Sequence, residues 1–189
     1  MSPLLTLMAM GMFEVPELLP SLLIQATIVN LGEKINEGQL VEAVAVPWFR
    51  IVRELERDPE FLFKIPWRKL EELIAGGYEQ EGYDEVILTP RSGDGGRDVI
   101  ATKHGFGSIR IFDQVKAYAP DNKVPAEDVR ALLGVLTRDQ NVSKGIITTT
   151  STFAPGVEDE MKPFIPYRLE LKTGKGTHDW LSGIVRRAS

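Results

Sequence analysis

The stretch DEVILTPRSGDGGRDVIATKHGFGSIRIFDQVKAY, residues 84–118, decides the fold. Residues 84–89 (DEVILT), 97–102 (RDVIAT) and 108–118 (SIRIFDQVKAY) are short runs rich in β-branched and aromatic side chains. Glycine- and proline-containing turns bound them, so each reads as a strand. KHGFG, between the last two, supplies the glycines of a hairpin. A turn centred near Gly105 makes residues whose numbers sum to about 211 or 212 face one another. Asp98 then stands opposite Asp113 or Gln114. Side chains alternate along a strand, so Gln114 and Lys116 share a face. Spacing and pleat alone therefore gather an acid, an amide oxygen and an ammonium.

Outward from the hairpin, Trp67, Leu70, Leu73, Ile74 and Tyr78 recur at helical spacing, with Gly76-Gly77 loosening the helix near its end. At roughly 100° per residue the apolar stripe is centred near Leu70. Glu72 falls opposite that centre and is expected in solvent, whereas Glu71 lies on the stripe's edge and can reach the sheet. Downstream, residues 126–138 read as a helix with Pro125 at its first turn, and KGIITTT (144–150) as a buried strand. Residues 155–162 read as a helix and 167–172 (YRLELK) as a last strand. The order α-β-β-β-α-β-α-β implies an α/β sandwich with a central mixed sheet.

The first part of the chain is less patterned. Residues 3–13 and 18–29 are rich in Leu, Met and Ile. The first basic residue is Lys34, so the charged start of a secretory signal is missing, and Glu14, Pro16, Glu17 and Pro20 break the stretch before a membrane-spanning length. It reads as a buried or partner-facing element. Residues 38–57 (GQLVEAVAVPWFRIVRELER) read as helical in two parts, Pro47 starting the second. DPEFLFKIP (58–66) reads as a connector. These features divide the chain into a mostly helical N-terminal segment, 1–60, expected to pack or to form a homodimer, and a main domain, 61–189.

Composition narrows the class. Hydrophobic residues make up 43% and charged residues 26%, the balance of a globular protein with a core. The absence of cysteine excludes disulfides and thiolate metal sites, and fits a cytoplasmic location. A net charge of −5 counts against coating nucleic acid by bulk attraction, but not against a local basic strip beside phosphates. GDGGRD leads into a strand without GxxxxGK or a following helix, so no nucleotide cofactor is expected.

The converging residues suit hydrolysis of a phosphodiester, which needs hydroxide at neutral pH and a cation to offset transition-state charge. Hard oxygen ligands suit Mg²⁺, with Mn²⁺ as a substitute, and Mg²⁺ takes one or two carboxylates while keeping several waters. Asp98 would bind it directly, Gln114 would add a neutral oxygen, and Glu71 would act through water or hold a second ion. Lys116 would orient or deprotonate the attacking water.

The strings LEELIAGGYEQEGYDEV, TPRSGDGGRDVIA, DQVKAY, VRALLGVL and KGIITTTSTFAPG together resemble the Mrr-type branch of the PD-(D/E)xK nucleases. The likeness spans about residues 67–172. It implies a restriction-endonuclease-like fold and Mg²⁺-dependent cleavage of DNA in a restriction or defence setting. It places the active site at Glu71, Asp98, Gln114 and Lys116. The glutamine stands where the wider superfamily carries an acid, as in that branch.

Competing readings attach to single residues. Asp94 is a turn residue or an acid beyond the metal ligands. Arg91 and Lys123 are weak candidates for phosphate contact, with Arg97, Arg110 and Tyr118 behind them. The hydroxyls of Thr148, Thr149, Thr150 and Ser151 either hold phosphate oxygens or serve strand formation and capping. Trp48, Trp67 and Trp180 are assigned to packing. Two other functions stay open: a non-catalytic DNA-binding or assembly module on the same fold, and a nuclease acting on RNA or branched DNA.

Overall fold

The computed structural model describes residues 20–90 and 96–188. Arg91, Asp94 and residues 1–19 of the apolar start lie outside the described residues, while Leu23, Ile28 and Val29 of its second run are buried. After a short helix α1 (Pro20–Gln25) come strands β1 (Val29–Ile35) and β2 (Gly38–Val44), helix α2 (Val46–Arg57) and a 3-10 turn (Pro59–Lys64). Helix α3 (Trp67–Gln80) leads into β3 (Glu85–Leu88), β4 (Val99–Gly105) and β5 (Gly107–Lys116). A short β6 (Lys123–Val124), helix α4 (Ala126–Arg138), β7 (Lys144–Thr149) and a short β8 (Thr152–Phe153) follow. Helix α5 (Val157–Met161), β9 (Leu169–Lys172) and helix α6 (Gly174–Ala188) complete the chain. From α3 to β9 the principal elements follow the expected α-β-β-β-α-β-α-β order.

Among the described residues, seven strands form one sheet in the order β1-β2-β3-β4-β5-β7-β9, and β6 pairs with β8 separately. The pairs from β1 to β5 are antiparallel, while β5–β7 and β7–β9 are parallel. Parallel neighbours need a crossover, which α4 supplies between β5 and β7, and α5 between β7 and β9. Helices cover both faces. On one, α2, α3 and α6 bury Trp48, Leu70, Ile74 and Leu181 against Val99, Ala101, Ile111 and Val115. On the other, α4 buries Val129, Leu132 and Leu136 against Ile100, Phe112 and Ile147. This is a mixed α/β sandwich.

The reading of residues 38–57 is half corrected. Only the second part, Val46–Arg57, is helical; Gly38–Val44 is a strand that joins β1 to the main sheet. The turn signal lies in Asn36-Glu37-Gly38 between two runs of strand length, and it outweighs the helix propensity of LVEA. Gly38 has φ +156°, and a Cβ there would meet Leu88 O at 2.1 Å, so the β2–β3 approach needs glycine. The connector proves to be a 3-10 turn that buries Phe61 and Leu62.

Gly76-Gly77 does not loosen α3, which runs on to Gln80. The pair makes room instead. Trp48, fully buried, donates from Nε1 to Leu73 O at 2.9 Å, and a Cβ at Gly76 would lie 2.5 Å from that nitrogen. A Cβ at Gly77 would lie 2.6 Å from the Trp180 ring. We predict that Gly76→Ala destabilises by about 1–3 kcal/mol, because overpacking exceeds the roughly 1 kcal/mol that alanine gains in a helix. Gly134→Ala on α4, where nothing lies within 4 Å of the added atom, should be neutral or stabilising. Urea titration of both variants checks the contrast; equal effects would overturn it.

Candidate active site

The β4–β5 ladder runs without interruption from Gly105↔Gly107 to Val99↔Asp113. Every pair sums to 212, and Asp98, one residue beyond the ladder, meets β5 through its N–H on Asp113 O. Phe112, Gln114 and Lys116 face α4, while Asp113 and Val115 face α3 and α6. Asp98 is fixed by its whole backbone. Its N–H donates to Asp113 O at 3.0 Å, and its carbonyl accepts from Thr89 N–H at 3.1 Å and from the Thr89 hydroxyl at 3.3 Å. One carboxylate oxygen, Oδ2, accepts from Val115 N–H at 2.7 Å. Gly96, at φ +81°, turns the chain into β4, and a Cβ there would press on Gln114 Nε2 at 3.2 Å.

Asp98, Gln114 and Lys116 line one open cleft of about 320 Å³, with Trp67, Gly96 and Tyr118. Gln114 Oε1 is buried and accepts no hydrogen bond among the described residues. A buried amide oxygen without a donor costs free energy, and a hard cation would satisfy it. Among the described residues no three His, Cys, Asp or Glu side chains gather closely enough to hold a metal. Among the described residues the cleft offers one carboxylate and one amide oxygen, which fits an ion that keeps most of its waters.

Helix phase chose correctly between the two glutamates for burial. Glu71 is 1% exposed, whereas Glu72 is half-buried, against expectation, and pairs with Lys69 at 2.7 Å. Glu71 does not line the cleft. Its Oε2 takes Arg68 Nη1 at 2.6 Å, and the same nitrogen donates to Thr89 O at 3.2 Å. Thr89 in turn holds the Asp98 carbonyl, so Glu71 is linked to Asp98 through Arg68 and Thr89.

Several surface candidates are spoken for. Arg97 stacks on Phe112 at 5.0 Å and pairs with Asp139 at 3.8 Å. Arg110 pairs with Glu37 at 2.6 Å. Lys123 is exposed on the β6–β8 pair and does not line the cleft. The hydroxyl run holds the end of β5 rather than pointing to a ligand: Thr149 donates to Lys116 O, Thr150 to Tyr118 O, and Ser151 to Pro120 O. Trp67, assigned to packing, is 44% exposed and forms a wall of the cleft. Spacing missed Asp128, whose Oδ2 lies 3.5 Å from Lys116 Nζ.

Comparison with known families now bears on this geometry. The family model described as restriction endonuclease (Mrr_cat) matches residues 62–181. The chain belongs to that family. A relative from Sinorhizobium fredii, the uncharacterized protein y4cE, is 26% identical over 121 residues, covering 64% of this chain and 30% of the relative. Among solved structures, the DNA modification-dependent restriction endonuclease AspBHI is similar at TM-score 0.49 and 19% identity, covering 77% of this chain and 37% of the other. The restriction endonuclease MspJI, solved in complex with a 27-mer oligonucleotide, is similar at TM-score 0.47 and 19% identity, covering 78% and 33%. The chain thus spans about a third of the length of each relative. Among the described residues no helix is long and apolar enough to cross a membrane.

The opposite face of this restriction endonuclease domain carries a second acid. Asp113, beside Gln114 in sequence, is fully buried; its Oδ2 accepts from Tyr78 O–H at 2.7 Å and Thr148 O–H at 2.9 Å, and its Oδ1 has no partner among the described residues. Burial pushes its carboxyl up to about 6, against the pull of Lys172 and the two hydroxyls. Burial, then the Asp113 charge, raises the Tyr78 phenol well above its ordinary range, which keeps it a donor. Because the folded value exceeds the ordinary 3.8, this group favours folding below about pH 4, and that contribution is lost as pH rises through about 6. We predict that Asp113→Asn gains on the wild type by on the order of 2–3 kcal/mol between pH 4 and pH 7. Urea unfolding in EDTA measures the difference, and parallel pH profiles would refute it.

Proposed function

We propose that the chain is a metal-dependent DNA endonuclease that hydrolyses phosphodiester bonds in a restriction or defence context. The family supports the class of reaction. The observation that carries the reading for these residues is the meeting of Asp98, Gln114 and Lys116 in one cleft, with Gln114 Oε1 buried and without a donor among the described residues. Mg²⁺, for which Mn²⁺ substitutes, would supply a water acidic enough to ionise near neutral pH and a counter-charge to the transition state. Asp98 and Gln114 would hold it, with Glu71 contributing through water or a second ion.

The chain's own side chains do the remaining work. Val115 N–H fixes one oxygen of Asp98 and so aims the other. Lys116 presents its amino group on the face shared with Gln114, where as the ammonium it orients the attacking water and offsets charge on the phosphoryl oxygens, or as the free amine takes that water's proton. Arg91 and Lys123 are proposed as peripheral phosphate contacts. A single centre of this kind cuts one strand, so double-strand cleavage calls for two copies or two successive events. We place the contact between copies on the N-terminal segment, where Leu22 and Leu31 are exposed. DNA is the proposed partner, in the cytoplasm.

The net charge of −5 favours a different reading, a non-catalytic binding or assembly module. Supercoiled plasmid, incubated with Mg²⁺ or Mn²⁺, separates the two. The wild type should nick or linearise it, and Lys116→Ala and Asp98→Ala should each slow cleavage by at least about a hundredfold. No cutting under any metal condition, or equal cutting by the variants, would sink the assignment; labelled RNA and branched DNA in the same assay define the substrate. Light scattering should give a dimer, free or on DNA, and a monomer in both states would remove the proposed contact between copies.

A further inference from the structure

Asp128 sits in the first turn of α4, and two groups meet on its Oδ2. Tyr118 donates its phenolic O–H at 3.0 Å, and Lys116 Nζ lies 3.5 Å away. Both partners come from the end of β5 and its extension, and both line the cleft with Asp98 and Gln114. The main chain of the same stretch is pinned from the other side. Thr149 donates to Lys116 O at 2.9 Å, and the Thr150 hydroxyl accepts from Tyr118 N–H at 2.8 Å and donates to Tyr118 O at 2.6 Å. β7 thus fixes the backbone, and α4 fixes the side-chain tips.

The arrangement differs from an ordinary surface ion pair. The Lys116 and Asp128 side chains are only 21% and 26% exposed, so water screens their contact less. Tyr118 gives the carboxylate a second, neutral anchor that does not depend on Lys116. Burial and the bond to Asp128 raise the Tyr118 phenol, so it keeps the proton it donates. A lysine on a four-carbon stem samples many rotamers, and a fixed anchor restricts its ammonium to the place where a water or phosphoryl oxygen can meet it.

We infer that Asp128 is a positioning residue: its carboxylate, oriented by Tyr118, holds the Lys116 ammonium in the Asp98–Gln114 cleft. The effect on rate rests on the nuclease reading above; the contact itself does not. Two measurements on the full chain therefore test it, for the wild type, Asp128→Asn, Asp128→Glu and Tyr118→Phe. One is steady-state plasmid cleavage with Mg²⁺. The other is trace acetylation of Lys116 by acetic anhydride, read by mass spectrometry against Lys175, which is 85% exposed.

Asp128→Asn should lower kcat by roughly ten- to a hundredfold with KM within about twofold, the size found when a group supporting an active-site ligand is removed. It should raise Lys116 acetylation several-fold while Lys175 stays unchanged. Asp128→Glu should recover part of both effects, Tyr118→Phe should fall between, and Asp128→Asn combined with Tyr118→Phe should show less than the sum of the two losses. Unchanged Lys116 labelling overturns the inference, as does a kcat equal to that of a wild type that cuts, or a loss confined to KM. A wild type that cuts nothing refutes the nuclease reading instead, and the labelling then decides by itself whether Asp128 holds Lys116.

Discussion

The β4–β5 ladder fixes which face of the sheet every polar group in the middle of the molecule occupies. Its register is set at the tip, where Gly105 pairs with Gly107, and it carries unbroken to Val99 and Asp113. Strand side chains alternate, so a slip by one residue would put Asp98, Gln114 and Lys116 among the apolar side chains of α3 and α6, and Asp113 against α4. The core forbids that slip: Ile100 and Phe112 are fitted to the α4 side, and Val99, Ala101 and Ile111 to the other. The same packing that stabilises the sheet therefore specifies the geometry of the cleft.

Two acids at the end of the ladder, Asp98 and Asp113, are placed in opposite surroundings. Asp98 sits at the mouth of a strand, 8% exposed, with one oxygen on a backbone N–H and the cleft before it. Asp113 is sealed beneath α3, where two hydroxyls and the more distant Lys172 only partly offset its desolvation. Among the described residues that line the cleft, Asp98 supplies the carboxylate and Gln114 an amide. Such a donor set would suit a hard cation that keeps most of its shell for water and phosphate.

The elements around the hairpin act as supports at fixed points. Arg68 ties the first turn of α3 to Thr89, and Thr89 ties β3 to Asp98. The hydroxyls at the end of β7 clamp the chain beyond Lys116, and α4 brings Asp128 to the tips of Lys116 and Tyr118. On the far edge, β1 and β2 extend the sheet and Glu37, in their turn, anchors Arg110 of β5. Residues 29–57 therefore share both the sheet and the core with the rest of the described chain.

Local signals made much of this legible. Glycines around residue 105 set the hairpin, period-two alternation put Gln114 and Lys116 on one face, and helix phase separated Glu71 from Glu72, because each is governed by neighbours within a few residues. The strand Gly38–Val44 was not legible as such: LVEA favours a helix by propensity, and only pairing with β3 decides otherwise. The glycines at 76 and 77 carried a local meaning, flexibility, that long-range packing replaced with the need to admit two tryptophans. Asp128, the clamp of hydroxyls and the exposure of Trp67 could not be read either, since each depends on where a distant element lands. By itself the sequence determined the order of the principal elements from α3 to β9, the register of the central hairpin and the residue types gathered on its face. Only tertiary structure decided which charge each of those residues meets, because partners ten to eighty residues apart become neighbours only when helices close over the sheet.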